Sequence, residues 1–569
     1  MSADDSSTSK GGRGIARDFR FSEGENGERS AQNQGNVSGA TPPGPPAAPS
    51  SWFWPILGLG LFVRLVAFAW NDRLFGDVNL YALVARQWSE TGRLDYPGKF
   101  DFFDPTPYLT LSSPVSQHPP AWSWLAGLLS SLTVGLDEFA ALKVLCLVCG
   151  LAVIVLGMAL ARTLLKSPRS IDNGAITAVG LVLALHPMLV DFSANGSPYI
   201  AVAAGALAVM LAVLANDLPG WQRALLAGVG AALAWQVHGA GMLLVPAGLF
   251  GLALNPRTGT ATRSRGSLGL LVGYLVTTAL ILAPLLAWNY AHFGTLLHST
   301  SPYYLPGKLG LVTFVEYSTG IHYAVGALGW QHVIPYLRLA FISSGQFLLH
   351  LGLETGFLGL GLAALFAAIL WRRPVIRRRP LLGMLAVVFA LLAPCLGWPE
   401  FKYRFLVLIL PMVLILATLG GAFLLSQLRQ RVAIRAVLAS SVLGCLAFWA
   451  VQIALTGSPS KYYAYDREHL PDYRLMREAA TFLKTQPTGV LIALSDALDG
   501  GTETTWWHHL PTVSVRGIPP GPLSRLISDF SPTYLLISPS RRDVVPSSAQ
   551  LKFENIRYLV YTLTTNKPE

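Results

Sequence analysis

Three short stretches of this chain gather the residue types that acid–base and anion chemistry require. The first is FGDVNLYALVARQW (75–88), which places Asp77 directly before an amphipathic helical pattern, with Tyr81 one turn on. An aspartate at that position reads first as a favoured helix N-cap, and as its alternative a general base held at a membrane face. The second is SQHPPAWSWLAG (116–127), where two prolines after His118 fix a turn ahead of a helix. His118 there either marks a helix start or points into a site, binding a phosphate or carrying a proton. The third is PEFKYRF (399–405), with Glu400, Lys402, Tyr403 and Arg404 in one short loop. Aromatic and basic residues anchor loops at a membrane interface, and they also grip an anionic headgroup. Asp191, in HPMLVDFSANG (186–196), reads as a solvated loop end or as part of the lining of the same cavity.

Apolar runs between these stretches must position them. The chain has 569 residues, of which 52% are hydrophobic and only 13% charged, with a mean hydropathy of +0.46. Soluble domains carry about a quarter charged residues. Runs of about 20 apolar residues recur, the length a helix needs to cross a hydrocarbon core. They predict about eleven spans, near 52–70, 138–162, 173–191, 198–215, 222–236, 239–254, 268–288, 342–370, 381–397, 404–425 and 434–456. Residues 1–50 are polar and charged and predict a disordered cytoplasmic tail.

Charge orients these spans. The segment 121–136 is short for a span, and counting it as one would put Arg162, Lys166 and Arg169 outside. Laid along the interface instead, it leaves those charges inside. Arg223; Arg257, Arg263 and Arg265; Arg372, Arg373 and Arg377–Arg379; and Arg429, Arg431 and Arg435 then all fall in inner loops. This places Asp77 and His118 in one long first outer loop, 72–137. The outer loop 289–341 is rich in aromatics (Tyr303, Tyr304, Tyr317, Tyr323, Trp330), suited to stacking sugars or to an interface belt.

The last part, 457–569, predicts a small exoplasmic α/β domain. A helix is expected over 472–486, and strands at 490–494, 512–515, 534–538 and 556–563.

Composition and pattern also exclude function classes. The net charge of +11 sits in short clusters between apolar runs, not along one face, so nucleic-acid binding is excluded. All four cysteines, Cys146, Cys149, Cys395 and Cys445, lie in apolar runs as packing residues, and no disulfide framework is implied. A transporter or flippase of lipid-linked envelope precursors is the rival class. Paired broken helices or repeated intramembrane charge would favour it, and neither stands out.

The order of these motifs resembles the GT-C superfamily of membrane glycosyltransferases. The likeness rests on Asp77 opening the first outer loop, Tyr81 and Ala85 on the following helix, and His-Pro-Pro before a second interfacial helix. WQVHGAGMLLVPAGL with NPRTG, LLAWNYAHFG (285–294) and FKYRFLVLILPMVLILA (401–417) add to it. The nearest kin in pattern are the dolichyl-phosphate-mannose protein mannosyltransferases and the bacterial aminoarabinose transferase-like enzymes.

The resemblance implies an all-α polytopic fold over 51–456 and inverting transfer of a sugar from a polyprenyl-phosphate-linked donor at the outer face. The acceptor would be a glycan, lipid or protein, and membrane lipids surround the site. The resemblance implies no organic cofactor and at most a weak dependence on a divalent metal. It makes Asp77 the catalytic base, His118, Lys402 and Arg404 the donor-phosphate ligands, and Tyr81, Tyr403 and Asp191 substrate-binding residues. His118 stands where the aminoarabinose-type enzymes have Lys. Val78 stands where the protein mannosyltransferases have a second acidic residue.

Overall fold

A computed structural model describes residues 52–70, 77–96, 98–99, 113–115, 118–165, 170–215, 218–254, 263–298, 329–372, 378–398, 401–427, 474–495, 509–516, 527–528 and 530–563. The tail 1–50, the aromatics Tyr303 to Tyr323, Glu400 and the span expected over 434–456 lie outside the described residues.

The apolar runs form helices. They are α1 (Phe53–Trp70), α2 (Asp77–Thr91), α3 (Ala121–Leu132), α4 (Glu138–Leu165), α5 (Ser170–Leu185), α6 (Pro187–Phe192), α7 (Tyr199–Leu214), α8 (Gly220–Val237), α9 (Leu244–Leu254), α10 (Arg263–Phe293), α11 (Val333–Thr355), α12 (Leu358–Arg372), α13 (Arg378–Gly397) and α14 (Leu406–Gln427). A further helix covers 474–484. Among the described residues, Glu138–Leu165, Leu268–Phe293 and Tyr403–Leu425 are long and apolar enough to cross a membrane alone. At twelve residues, α3 spans about 18 Å, well short of the hydrocarbon core.

The core gathers around α7, which is enclosed by α4, α8, α9, α13 and α14. Small residues allow the closest approach: a Cβ on Gly205 of α7 would stand 2.5 Å from the Gly230 carbonyl of α8. In a bundle surrounded by lipid, such backbone proximity supplies the packing that hydrophobic burial supplies in water.

Buried cations close the helix ends. The last carbonyls of a helix lack intrahelical donors, and in an apolar medium each must find one. Arg64 of α1 is wholly buried and donates to Leu183 O and Ala184 O at the end of α5, and to Ser193 Oγ. Pro187 stops α5 from continuing there. Arg223 of α8 donates to Ala212 O and Val213 O at the end of α7. Lys143 of α4 donates to Phe68 O near the end of α1 and sits over the Phe68 ring. The Arg223 side chain, read from the sequence as an inner-loop charge, is buried against the end of α7. Cys146 Sγ donates to Ser197 O, a packing contact as expected.

The span expected over 342–370 is two helices. α11 and α12 meet at 95°, where Gly356 takes the left-handed conformation (φ 66°) that ends α11. Tyr336 and Ser344 of α11 donate to Gly397 O and Leu396 O, and His350 stacks on Phe401. Widely separated positions on α11 thus all meet the short α13–α14 connection, so α11 lies across it.

The C-terminal strands are β4 (Leu491–Ser495), β5 (Thr512–Arg516), β6 (Tyr534–Ile537), β7 (Gln550–Glu554) and β8 (Leu559–Thr562). They match the expected segments except β7, whose sequence QLKFE is that of a polar edge strand. From the first loop come β1 (Asp95–Tyr96), β2 (Gly98–Lys99) and β3 (Ser113–Pro114). β1 and β3 pair with each other, while β2 joins the C-terminal sheet, in the order β2-β5-β4-β6-β8-β7. Replacing Arg64 with Met leaves the Leu183 and Ala184 carbonyls without their donor. Thermal unfolding in detergent should show a loss of about 3 kcal/mol, against less than about 1 kcal/mol for the exposed Arg162→Met.

Candidate active site

The first loop is fixed from three sides. α2 packs on α3 closely enough that a Cβ on Gly127 would stand 2.6 Å from Ala85 O. At its far end, Ser89 Oγ donates to Glu138 Oε1 at the start of α4, and Arg86 lies 3.8 Å from the same carboxylate. Trp122 Nε1 donates to Gly196 O, tying α3 to the turn before α7. These contacts hold Asp77, at the start of α2, opposite His118, just ahead of α3.

The third side is the turn before α14. Arg404 Nη1 lies 2.6 Å from Asp77 Oδ2, a close ion pair and not an aligned hydrogen bond. His118 Nε2 stands 3.9 Å from the same oxygen. The Tyr81 ring is 5.0 Å from the His118 ring. Two residues not expected from the sequence complete the wall. The His238 ring lies 5.8 Å from His118 and 4.6 Å from Tyr199, and the Arg404 guanidinium sits 5.5 Å above the Tyr199 ring. His238 caps the 3₁₀ turn after α8, accepting from Ala240 N, and this fixes its ring.

Asp77 Oδ2, Tyr81 Oη and His118 Nε2 are buried without hydrogen-bond partners. Buried polar groups are nearly always satisfied, so Tyr81 Oη and His118 Nε2, beside an Asp77 Oδ2 that has its ion pair but no aligned hydrogen bond, mark a place for a polar ligand.

Electrostatics distinguish their states. Burial pushes the Asp77 carboxyl up, but Arg404, then His118, Lys402 and His238, outweigh it and hold it below the usual carboxylate range. Burial pushes His118 down, only partly offset by Asp77, so its imidazole is neutral near pH 7. Burial also takes His238 down to about 3. The Tyr81 hydroxyl is pushed well above its usual value by burial and by Asp77, and it stays a donor.

The structure therefore brings Asp77, His118, Tyr81, Lys402 and Arg404 into one electrostatic neighbourhood. Tyr403 flanks it, with its hydroxyl donating to Glu354. Asp191 is buried within α6. His238 carried a faint signal in sequence, a polar residue at a two-residue link between apolar helices. Tyr199 carried none beyond its place after Pro198. Among the described residues, no group of three or more His, Cys, Asp or Glu is arranged to hold a metal ion.

No family profile and no curated protein sequence matches this chain. Its fold does have solved counterparts. The archaeal oligosaccharyltransferase AglB from Archaeoglobus fulgidus, in complex with an inhibitory peptide and a dolichol-phosphate, superposes with a TM-score of 0.57 at 16% identity, over 86% of this chain and 69% of that one. ArnT from Cupriavidus metallidurans, bound to undecaprenyl phosphate, superposes with a TM-score of 0.54 at 14% identity, over 91% of this chain and 99% of that one. The chain thus has the GT-C type of fold that these two structures share, as its motif order suggested, and three of its described helices are long and apolar enough to cross a membrane.

In Arg404→Gln the largest of the cationic influences on Asp77 is gone, so its titration should move up; ¹³C NMR of the Asp77 carboxyl in detergent reads this directly. Because the folded value lies below the unfolded one, the pair's stabilising contribution is present above the unfolded carboxyl range and is lost as pH falls through the folded value. A titration unmoved by the substitution would show that the ion pair does not set it.

Proposed function

We propose that this protein is an inverting glycosyltransferase that moves a hexosyl or pentosyl group from a polyprenyl-phosphate-linked donor to an acceptor at the outer face of a plasma membrane. In this reading the chain crosses the membrane several times, with its N-terminus cytoplasmic and its C-terminal sheet exoplasmic. The observation that carries it is the buried Asp77 carboxylate, paired at 2.6 Å with Arg404 and 3.9 Å from His118, in a fold shared with proteins solved with dolichol-phosphate or undecaprenyl phosphate.

The chemistry follows from the charges. The donor keeps its tail in lipid and presents its phosphodiester to Arg404, Lys402 and His118. An incoming phosphate competes with Asp77 for the Arg404 guanidinium, since guanidinium pairs well with either oxyanion. As Arg404 turns to the phosphate, Asp77 loses its strongest cationic partner, burial prevails, and the carboxylate becomes a better base. Asp77 then takes the proton from the acceptor hydroxyl or amine as that atom bonds to the anomeric carbon from the side opposite the phosphate. The bond from that carbon to the phosphate oxygen breaks, and a phosphate monoester leaves with one more negative charge. Arg404, Lys402 and His118 stabilise that added charge. Tyr81 donates toward the sugar from the α2 side, while Tyr403 and Asp191 complete the substrate walls. The step balances without an organic cofactor.

Such a site keeps its base paired until donor arrives, which limits wasteful hydrolysis of the donor. In vesicles loaded with radiolabelled undecaprenyl-phosphate sugars, the wild-type protein should transfer sugar or slowly hydrolyse donor. Asp77→Asn should lower the rate by about 10²-fold or more while still binding undecaprenyl phosphate. A flippase would tolerate that substitution; a wild-type protein inert toward a panel of such donors would overturn the reading.

A further inference from the structure

Glu354 occupies a position that ordinary helix chemistry disfavours. It is the second-last residue of α11, where the helix dipole is negative and a carboxylate is unwelcome. Its Oε1 accepts a hydrogen bond from Tyr403 Oη. Tyr403 opens the 3₁₀ turn Tyr403–Phe405, whose next residue is Arg404, and that turn runs straight into α14. The same corner is packed with rings. His350, one helical turn before Glu354, stacks on Phe401 at 4.8 Å and meets the Tyr403 ring edge-on at 5.5 Å. The Glu354 backbone carbonyl lies 3.3 Å from His186 Nε2, at the break between α5 and α6. Immediately beyond, α11 ends at left-handed Gly356 and the chain turns through 95°.

Resting on the reading above, we propose that Glu354 is a positioning residue: through Tyr403 it fixes the turn that holds Arg404 over the donor phosphate and against Asp77, and so couples the α11–α12 corner to donor capture. A guanidinium at the end of a flexible side chain is only as well placed as its backbone. The turn 401–405 is a short link between two helices, held by the His350–Phe401 stack and by the packing of Phe405 on Tyr199. Glu354 supplies a constraint from outside the link, through the Tyr403 hydroxyl. The unfavourable helix-end carboxylate is offset by the phenol hydrogen bond, which explains an acidic residue where local preference opposes it. Because α11 lies across the α13–α14 connection, a shift of α11 along its axis moves Tyr403 and Arg404 together.

The test uses the full-length protein in detergent or nanodiscs, with undecaprenyl phosphate as the probe. Glu354→Ala and Tyr403→Phe should each weaken its binding about tenfold, raising the donor KM and also lowering kcat, because Arg404 stabilises the departing phosphate as well. Glu354→Gln, which still offers an oxygen to the phenol, should bind within about twofold of wild type. The double variant should bind no worse than either single one, since both break one contact. A ligand-free readout accompanies these: modification of Arg404 by phenylglyoxal, followed by mass spectrometry, should be slow in wild type and Glu354→Gln and several-fold faster in Glu354→Ala. Additive losses in the double variant, or a Glu354→Ala protein that matches wild type in Arg404 modification, overturn the coupling. Absence of sugar transfer by wild type would instead sink the glycosyltransferase reading, and the Arg404 modification rates would still decide the role of Glu354.

Discussion

Burying one ionised group without a partner costs several kcal/mol, and the site of this protein is built around one such group and its answer. Asp77 opens α2, and Arg404 opens the approach to α14. Their 2.6 Å contact joins the first loop to one of the longest apolar helices. Each makes the other tolerable beside the Tyr81 and Tyr199 rings, the imidazoles of His118 and His238, and the charge of Lys402. The pair is also exchangeable, because a phosphate offers the guanidinium the same oxyanion geometry as a carboxylate. Under the proposed function, this ion pair is the contact that a donor phosphate displaces.

The same constraint shapes the scaffold. Arg64, Lys143 and Arg223 are buried, and each spends its charge on the carbonyl end of a neighbouring helix. Cations suit those ends, where the dipole is negative and the carbonyls lack donors. Tied in this way, the ends of α1, α5 and α7 are held at fixed positions relative to α4, α1 and α8. The turn 193–198 accepts from Trp122 and so holds α3, and with it His118. Basic residues thus play two parts in one bundle: Arg64, Lys143 and Arg223 close helix ends, and Arg404 pairs with a buried carboxylate.

The C-terminal sheet is bound into this arrangement. β2, from the first loop, lies parallel to β5, and Arg86 on α2 lies within 3.3 Å of the His509 ring. The loop that carries Asp77 therefore contributes a strand to the sheet formed by the last part of the chain. Forces on the sheet reach α2 through backbone hydrogen bonds and not through side chains alone.

Much of this was legible in the residues themselves. Apolar runs of spanning length gave the helices, and Asp77 before an amphipathic pattern and the prolines after His118 marked the two sides of the pocket. The β-branched segments gave four of the five C-terminal strands. Those signals are local, since periodicity and capping are written within a few turns of chain. The bend at Gly356 escaped because an apolar run reads the same straight or folded. β7 escaped because an edge strand with a polar face lacks the alternation of a buried one. The tertiary structure alone decided that Arg404 meets Asp77, that His238 and Tyr199 wall the pocket, that Glu354 holds Tyr403, and that β2 crosses to the distant sheet. Each of these joins helix ends or strands far apart in sequence, and which ends meet depends on how whole helices pack, a property that no single stretch of sequence contains.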